Sequence, residues 1–463
     1  MEKRDLEGKN LYFIGIGGIG MSAIAKIMLG MGYRISGSDV KTSNLTNALS
    51  DLGAEIDIGH NAAHITEDVD VVIYSSAIKE DNPEMMAAKS KNLPIYKRAE
   101  MLAFLMSIQE SIGVAGAHGK TTTSGMISLM LEKVGQDPTI VIGGTLPQIR
   151  SNAKSGKGRY LVAEADESDG TFLLLHPKIA IITNIEPDHL DHYGDMDNIL
   201  GAFKKYLEQI PSDGTAIVNL DCPNICSLKE QVEANYITYA LEKTADYQAK
   251  DLHFRKDGIS SSIYEKGILL GQLHLMVPGE HNVSNALAAI AVGRMAGENF
   301  ADLADALSHF TGTGRRFEVL GEIDNIRVID DYAHHPTEIK ATVKSAREIG
   351  SSRIISVFQP HRYSRTQSMY KEFAAAFKQS DIAIINEIYP AFEKPIEGVS
   401  SQMVVDEAKR QGQKIVEYAE TEEDVLRLLN KYAQAGDLVL IMGAGNIRSA
   451  GEKFLNARNR RLQ

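Results

Sequence analysis

The stretch GVAGAHGKTTTSGMI, residues 113–127, gathers the residue types that hold a polyphosphate. Glycine lets main-chain N–H groups come within hydrogen-bond reach of phosphate oxygens. A lysine ammonium reaches the terminal phosphates, and an adjacent threonine hydroxyl can ligate Mg2+. Against the template G-x-x-x-x-G-K-[ST] the match is incomplete. The first position falls on Val114, flanked by Gly113 and Gly116, whereas Gly119, Lys120 and Thr121 fit. Two acidic segments follow, VAEADESD with Glu164 and NIEPDHLDHY with Asp188 and His189. Each ends an apolar run that reads as a strand, and in open α/β sheets ligands collect beyond the carboxyl ends of strands. Glu164 and His189 are therefore expected near the phosphates, with a carboxylate as the second Mg2+ partner after Thr121. Alone, Glu164 reads equally well as a solvated loop acid and His189 as a packing or surface histidine. The upstream Gly-Lys-Thr shifts that balance.

A second glycine loop lies about a hundred residues earlier, in FIGIGGIGMSAIA (13–25). Gly15, Gly17 and Gly20 satisfy G-x-G-x-x-G between a strand and a helix, and Asp39 closes the next strand, 19 residues past Gly20. Such a loop seats a pyrophosphate on helix N–H groups without naming the nucleotide; a UDP-sugar fits as well as a dinucleotide. The plain alternative is a tight strand-to-helix turn without a ligand. Farther on, FQPHRYSRT ends a strand with His361, Arg362 and Arg365, and arginine forks grip carboxylates or phosphates through two parallel bonds. VIDDYAHHPTE supplies Asp330, Asp331, His334 and His335 before a helix opened by Pro336, and TGTGRRFE supplies Arg315 and Arg316. The His-His pair has no matching carboxylate-and-histidine set beside it, so a metal is not expected there.

These groups need a scaffold that brings strand ends together. Strand-like and helix-like segments alternate along most of the 463 residues, which predicts an α/β protein with parallel sheets. Three blocks emerge: 1–108 and 313–463, both Rossmann-like, and a central P-loop-type block at 109–312. Within the central block, residues 236–277 alternate polar and apolar types with turn signals and predict an antiparallel patch. TGTGRR (311–316) reads as a hinge, where a domain closure could carry an arginine onto a γ-phosphate. The chain is 43% apolar and 24% charged, an ordinary globular composition. Its net charge of −12 argues against nucleic acid as a partner. The two cysteines, Cys222 and Cys226, are too few for a disulfide framework or a structural zinc. No apolar run reaches membrane-span length and the start lacks the pattern of a signal peptide, so a cytoplasmic protein with small-molecule substrates is expected, as a monomer or homodimer.

Two nucleotide loops suggest that ATP energy is used on a nucleotide-tagged substrate. A carboxylate is a poor electrophile; phosphorylated, it becomes an acyl phosphate that an amine can attack, and the developing charge calls for cations. The motifs GIGGIGMS, SGSD, AGAHGKTTT, AEADESDGTF, TNIEPDHLDHY, GEHNVSNALAA, TGTGRRFE, DDYAHHPTEI and FQPHRYSRT, in this order, resemble the Mur ligases, the ATP-dependent amide ligases of peptidoglycan assembly. The family's loop resembles GAHGKTT, which accounts for Val114.

The resemblance implies three domains. The first would bind UDP-N-acetylmuramate through Gly15, Gly17, Gly18, Gly20, Asp39, Ser75 and Ser76. The central one would bind ATP through Gly116, Ala117, His118, Gly119, Lys120, Thr121 and Thr122, with His281, Asn282 and Asn285 near the adenine. Arg316 and Asp331 would reach phosphate and ribose. Thr121 and Glu164 would hold one Mg2+ and His189 would help hold a second, with Mn2+ as a possible substitute. His361, Arg362 and Arg365 would orient the amino acid and the substrate carboxylate. Lys120 and Arg316 would offset charge, and His361 or His334 would act as base. Sister ligases carry a carbamylated lysine at the metal site; none matches here, and Lys204 and Lys205 are poor candidates. The implied reaction joins L-alanine to the lactyl carboxylate of the sugar nucleotide. Two other readings stay open: a ligase joining a whole tripeptide to the same carrier, and an NAD-dependent oxidoreductase, which would leave the Gly-Lys-Thr loop idle.

Overall fold

The computed structural model describes residues 6–350, 353–391 and 393–462. Five strands open the chain: β1 (Asn10–Ile14), β2 (Arg34–Asp39), β3 (Glu55–Ile58), β4 (Val71–Tyr74) and β5 (Ile95–Lys97). They alternate with helices α1 (Ile19–Gly30), α2 (Asn44–Asp51), α3 (Pro83–Ser90) and α4 (Arg98–Ser107). All five strands pair in parallel, in the order β3-β2-β1-β4-β5. Every residue of β1 is buried, as expected for a strand covered by helices on both faces. The chain winds outward from β1 to β3 and restarts at β4. The crevice where the order reverses therefore lies beyond the ends of β1 and β4, where the Gly15 loop begins.

The central sheet is larger. It contains β6 (Glu110–Ala115), β7 (Thr139–Leu146), β8 (Ser151–Lys154), β9 (Tyr160–Glu164), β10 (Ile179–Ile182), β11 (Thr215–Asn219), β12 (Tyr236–Ala240), β13 (Tyr247–Arg255), β14 (Gly258–Glu265) and β15 (Ile268–Leu275). Its order is β15-β14-β13-β12-β11-β10-β6-β9-β7-β8. Helices α5 (Lys120–Lys133), α6 (Leu190–Tyr193), α7 (Met196–Glu208), α8 (Pro223–Lys229), α9 (Glu280–Met295) and α10 (Phe300–Ser308) accompany it. The sheet is mixed. The expected antiparallel patch starts later than residue 236, because β12 pairs in parallel with β11 and with the start of β13. Two-residue links from β13 to β14 and from β14 to β15 permit only antiparallel pairing there.

The last sheet runs β16-β17-β21-β18-β19-β20. Its strands are β16 (Glu318–Ile323), β17 (Ile326–Asp331), β18 (Arg353–Phe358), β19 (Ile382–Asn386), β20 (Val416–Ala419) and β21 (Asp437–Met442), with helices α11 (Pro336–Glu348), α12 (Tyr363–Ala376), α13 (Gln402–Arg410), α14 (Glu422–Tyr432) and α15 (Arg448–Leu462). Five of the strands are parallel, whereas β16 is antiparallel to β17. This hairpin lies outside the βα alternation read from the sequence. Its tip, Asp324 (φ 52°) and Asn325 (φ 59°), has positive φ at both central positions, the two-residue turn that matches strand twist.

The chain divides into two compact units, one of Met1–Ala249, Ile263–Gly271 and Ser284–Leu307, the other of Lys250–Ser262, Gln272–Val283 and Ser308–Gln463. The first has a core running from Leu11, Phe13 and Ile24 through Ala115 and Leu161 to Phe172, Phe203 and Tyr206. The second buries one face of its sheet under Ile329, Phe358 and Phe373 and the other under Val357, Ile384 and Phe454. No helix among the described residues is long and apolar enough to cross a membrane. Phe172 is 1% exposed and its ring centroid lies 5.3 Å from that of Phe203 and 5.0 Å from that of Tyr206. Phe172→Ala should therefore destabilise the first unit by about 3–5 kcal/mol, seen as a lower denaturant midpoint against the parent protein.

Candidate functional site

The Gly-Lys-Thr loop leaves β6 and enters α5. Gly116 has φ +129°, and a Cβ there would collide with Thr183 Oγ1 and come 2.9 Å from the Asn184 carbonyl oxygen. Gly119 has φ +84°, and its Cβ would stand 2.8 Å from Asn285 Oδ1. Both positions demand glycine. Asn184, just past β10, fastens the loop: its carbonyl accepts from Ala117 N (3.3 Å), its Oδ1 accepts from His118 N (2.9 Å), and its Nδ2 donates to the His118 carbonyl (2.9 Å). Thr183 Oγ1 donates to that same carbonyl (2.6 Å). Thr121 and Thr122 stand in the first turn of α5, where unpaired helix N–H groups favour an anion.

Thr121 Oγ1 lies 3.2 Å from Glu164 Oε2, so these two are brought together. Glu164 Oε1 accepts from Gly143 N (2.6 Å) and from Ser124 Oγ (3.3 Å), which fixes the carboxylate plane. A hydroxyl and a carboxylate oxygen at this separation form the hard-oxygen donor pair that Mg2+ takes, so the residues fit that ion. Burial raises the Glu164 pKa; the Gly143 N–H and the Lys120 charge oppose it. His189 stands elsewhere. Its Nε2 is 3.9 Å from Glu167 Oε1 and 3.6 Å from Asp188 Oδ2. Its backbone is left-handed, with φ 53°.

Glu167 is absent from the sequence reading although it lies three residues beyond Glu164 in the quoted acidic stretch. It accepts from Lys120 Nζ at 2.8 Å. Lys120 also donates to the carbonyls of Gly116 (2.6 Å) and Ala117 (3.3 Å). Burial alone would lower the Lys120 pKa; Glu167, Asp166 and Glu164 outweigh it and hold the ammonium above the ordinary lysine value.

The first glycine loop borders a cleft of about 640 Å³, lined by Gly15, Gly17, Gly18, Asp39 and Ser75 together with His60 and others. Asp39 Oδ2 accepts from Gly17 N at 2.8 Å, and a Cβ on Gly17 would sit 2.8 Å from that oxygen. Gly15 N donates to the Ser38 carbonyl (2.8 Å), closing the turn. Gly20 faces Arg98 instead, its Cβ position 3.0 Å from Arg98 Cδ, so this glycine serves close packing. Ser76 is not among the lining residues. His60, unforeseen from sequence, lines the cleft with its Nδ1 2.8 Å from the fully buried carboxylate of Glu84, which also accepts from Tyr12 Oη (3.0 Å) and Ser38 Oγ (2.7 Å).

The second unit carries the remaining candidates. Arg315 is committed to structure: Nε donates to Asp330 (3.2 Å) and Nη2 to the Gly443 carbonyl (2.7 Å). Arg316 pairs with Glu338 (3.2 Å), with its guanidinium over the Tyr332 ring. Asp331 accepts from Phe317 N and Ala333 N, both at 2.8 Å. Burial pushes its pKa up to about 6 against the pull of Arg316. Asn282 Nδ2 donates to the Pro278 carbonyl (2.6 Å), and burial lowers the neighbouring His281 to about 4.

The His334 and His361 rings meet edge to face at 5.9 Å, and His361 stacks on Tyr389 at 5.7 Å. His334 Nδ1 is 3.0 Å from the Tyr332 carbonyl. Burial lowers His334 to about 3 and His361 to about 4, with the charges of Arg365 and, for His361, Arg362 adding to the effect. Both imidazoles are therefore neutral near pH 7, as a base must be, yet each is a weak proton acceptor in this state. Arg362 heads α12 with φ +73° and ψ 140°; its N–H donates to the Tyr389 carbonyl (2.9 Å) and its own carbonyl accepts from Thr366 Oγ1 (2.8 Å).

Three family models match the chain: the Mur ligase family catalytic domain over residues 10–109, the Mur ligase middle domain over 114–293, and the Mur ligase glutamate ligase domain over 315–445. The chain is 49% identical to the UDP-N-acetylmuramate--L-alanine ligase of Pelotomaculum thermopropionicum over 444 residues, 96% of each protein. It is 47% identical to the enzyme of that name from Desulforamulus reducens, over 97% of this chain and 98% of that one. Among solved structures, the UDP-N-acetylmuramate-alanine ligase of Thermotoga maritima superposes with a TM-score of 0.81 at 30% identity, covering 97% of this chain and 99% of that one. A murein peptide ligase from Psychrobacter arcticus shares the fold, with a TM-score of 0.70 at 24% identity over 97% and 99%.

The depressed His361 pKa yields a signed prediction. Between about 4 and the unfolded value of about 6.5 the unfolded chain binds a proton that the native imidazole refuses, so stability rises with pH across this window. His361→Gln removes that dependence. The stability of the parent relative to His361→Gln should therefore fall as pH drops from 6.5 to 4, measured by denaturant unfolding of both proteins.

Proposed function

The chain belongs to the Mur ligase family, and from that premise we propose that it joins L-alanine to the lactyl carboxylate of UDP-N-acetylmuramate, coupled to cleavage of ATP, in peptidoglycan precursor synthesis. The observation that carries this reading is identity of 47–49% over nearly the whole chain with ligases of that name. The site chemistry agrees with it. A lactyl carboxylate oxygen attacks the γ-phosphorus and ADP leaves; the alanine amine attacks the resulting acyl phosphate, phosphate leaves and the amine gives up its proton.

We assign the sugar nucleotide to residues 1–108, ATP to 109–312, and the amino acid to 313–463. Gly15, Gly17, Gly18 and Asp39 shape the seat for the pyrophosphate. The loop from Gly116 to Thr122 cradles the triphosphate, with Lys120 supplying positive charge. Thr121 and Glu164 would hold Mg2+, which polarises and orients the phosphates when bound; His189, beside Glu167, is assigned to a second ion. Asn282, Asn285, His281, Arg316 and Asp331 are assigned to the nucleotide. His361, Arg362 and Arg365 are assigned to the carboxylates, with His361 or His334 taking the amine proton. A cytoplasmic location is part of the same proposal.

The test is ADP release measured with each substrate omitted in turn. Turnover should require UDP-N-acetylmuramate and L-alanine together. Preference for a tripeptide over L-alanine would replace the reading by peptide ligation, and NADH oxidation would replace it by a redox enzyme. Lys120→Ala should lower kcat by on the order of 10²–10³. Glu164→Gln should raise the Mg2+ concentration for half-maximal turnover about 10-fold or more, read from a metal titration at saturating substrates.

A further inference from the structure

Lysine has three N–H donors, and in this structure Lys120 has three acceptors: the carbonyls of Gly116 and Ala117 in its own loop and the carboxylate of Glu167. The ion pair is well shielded, with the Lys120 side chain 15% and that of Glu167 4% exposed, so solvent screens it weakly. The main chain beneath Glu167 is braced: its carbonyl accepts from Tyr193 Oη (2.6 Å) and Gly170 N (3.1 Å). Its carboxylate is not. Oε2 is buried without a hydrogen-bond partner, and His189 Nε2 is beyond hydrogen-bond range of Oε1 at 3.9 Å. Lys120 is thus the one close donor to this carboxylate among the described residues, and a phosphate can bond to Lys120 only by displacing an acceptor already present.

We infer that Glu167 is a positioning residue that holds Lys120 against its own loop while no nucleotide is bound and must surrender it to the triphosphate. Nucleotide binding is then an exchange of anions on one ammonium. The carbonyls of Gly116 and Ala117 can stay bonded, because they are neutral and belong to the same loop as the lysine. Glu167 cannot stay without placing its charge beside an arriving phosphate. The apparent affinity for nucleotide is lowered by the fraction of molecules in which the lysine is held. This inference rests on the ATP reading of the loop given above.

The experiment is calorimetric titration of the full-length protein with ATP and Mg2+, with no acceptor substrate present, so that binding is read without turnover. Glu167→Gln should bind ATP about 10-fold tighter than the parent if Lys120 is held about nine-tenths of the time. In a Lys120→Met background, the same exchange at 167 should leave Kd unchanged. Equal or weaker binding by Glu167→Gln, or the same gain with Lys120 absent, overturns the inference while leaving the ATP reading intact. Failure of the parent to bind ATP at all overturns that reading instead. Should Glu167→Gln not fold, Glu167→Asp, whose shorter carboxylate reaches Lys120 less closely, is read the same way with a smaller gain expected.

Discussion

The turn from Ala115 to Lys120 has no room for a side chain at either glycine, and this crowding fixes how the chain passes from β6 into α5. Gly116 is pressed against Thr183 and Asn184, and Gly119 against Asn285. Because β6 and β10 are neighbours in register, Ala115 opposite Ile182, the loop after one strand lies against the loop after the other. Asn184 then satisfies three groups of the turn. A loop held this way has its shape set by its own packing, with the Ala117 and His118 N–H groups both taken by Asn184.

Charge follows from the same packing. At the ends of β6 and β9 the carboxylates of Glu167, Asp166 and Glu164 hold the Lys120 ammonium above the ordinary lysine value, and the Lys120 charge in turn favours the anions of Glu164 and Asp166. Asp166 is lowered despite its burial because Lys120 and the Ser168 N–H stabilise its anion. In the second unit the balance runs the other way. His281, His334 and His361 are neutral because burial and adjacent arginines exclude another positive charge. The first unit thus holds a cation among carboxylates, and the second holds neutral imidazoles among arginines.

Much of this was legible from sequence because glycine requirements are local. Gly15, Gly17 and Gly119 announce their turns by spacing, and the strands before them by continuous apolar runs, whereas Gly116 falls outside the spacing template and was legible only through the resemblance of GAHGKTT to the family's loop. Thr121 and Glu164 were paired on the rule that ligands gather at strand ends, and the structure puts them 3.2 Å apart. The pairing of Glu167 with Lys120 was not legible. It depends on how the loop after β9 folds back, which no periodicity encodes. The Asp324–Asn325 hairpin was readable in principle, since both residues tolerate positive φ, but the surrounding βα alternation masked it. Gly20 shows the limit of motif register: a residue can match a pattern and face a neighbour, here Arg98, rather than the cleft.

Arg362 shows what such a corner demands of the polypeptide. A glycine would sit at φ +73° and ψ 140° without penalty, yet the chain has a bulky, branched-tip cation there. Residues held in such sparsely populated conformations cost on the order of 1–3 kcal/mol. Clamping by Tyr389 and Thr366 keeps the corner from relaxing. Evolutionary or engineered stabilisation at this corner would therefore trade the guanidinium for conformational ease: glycine would relieve the backbone and leave the head of α12 without its cation.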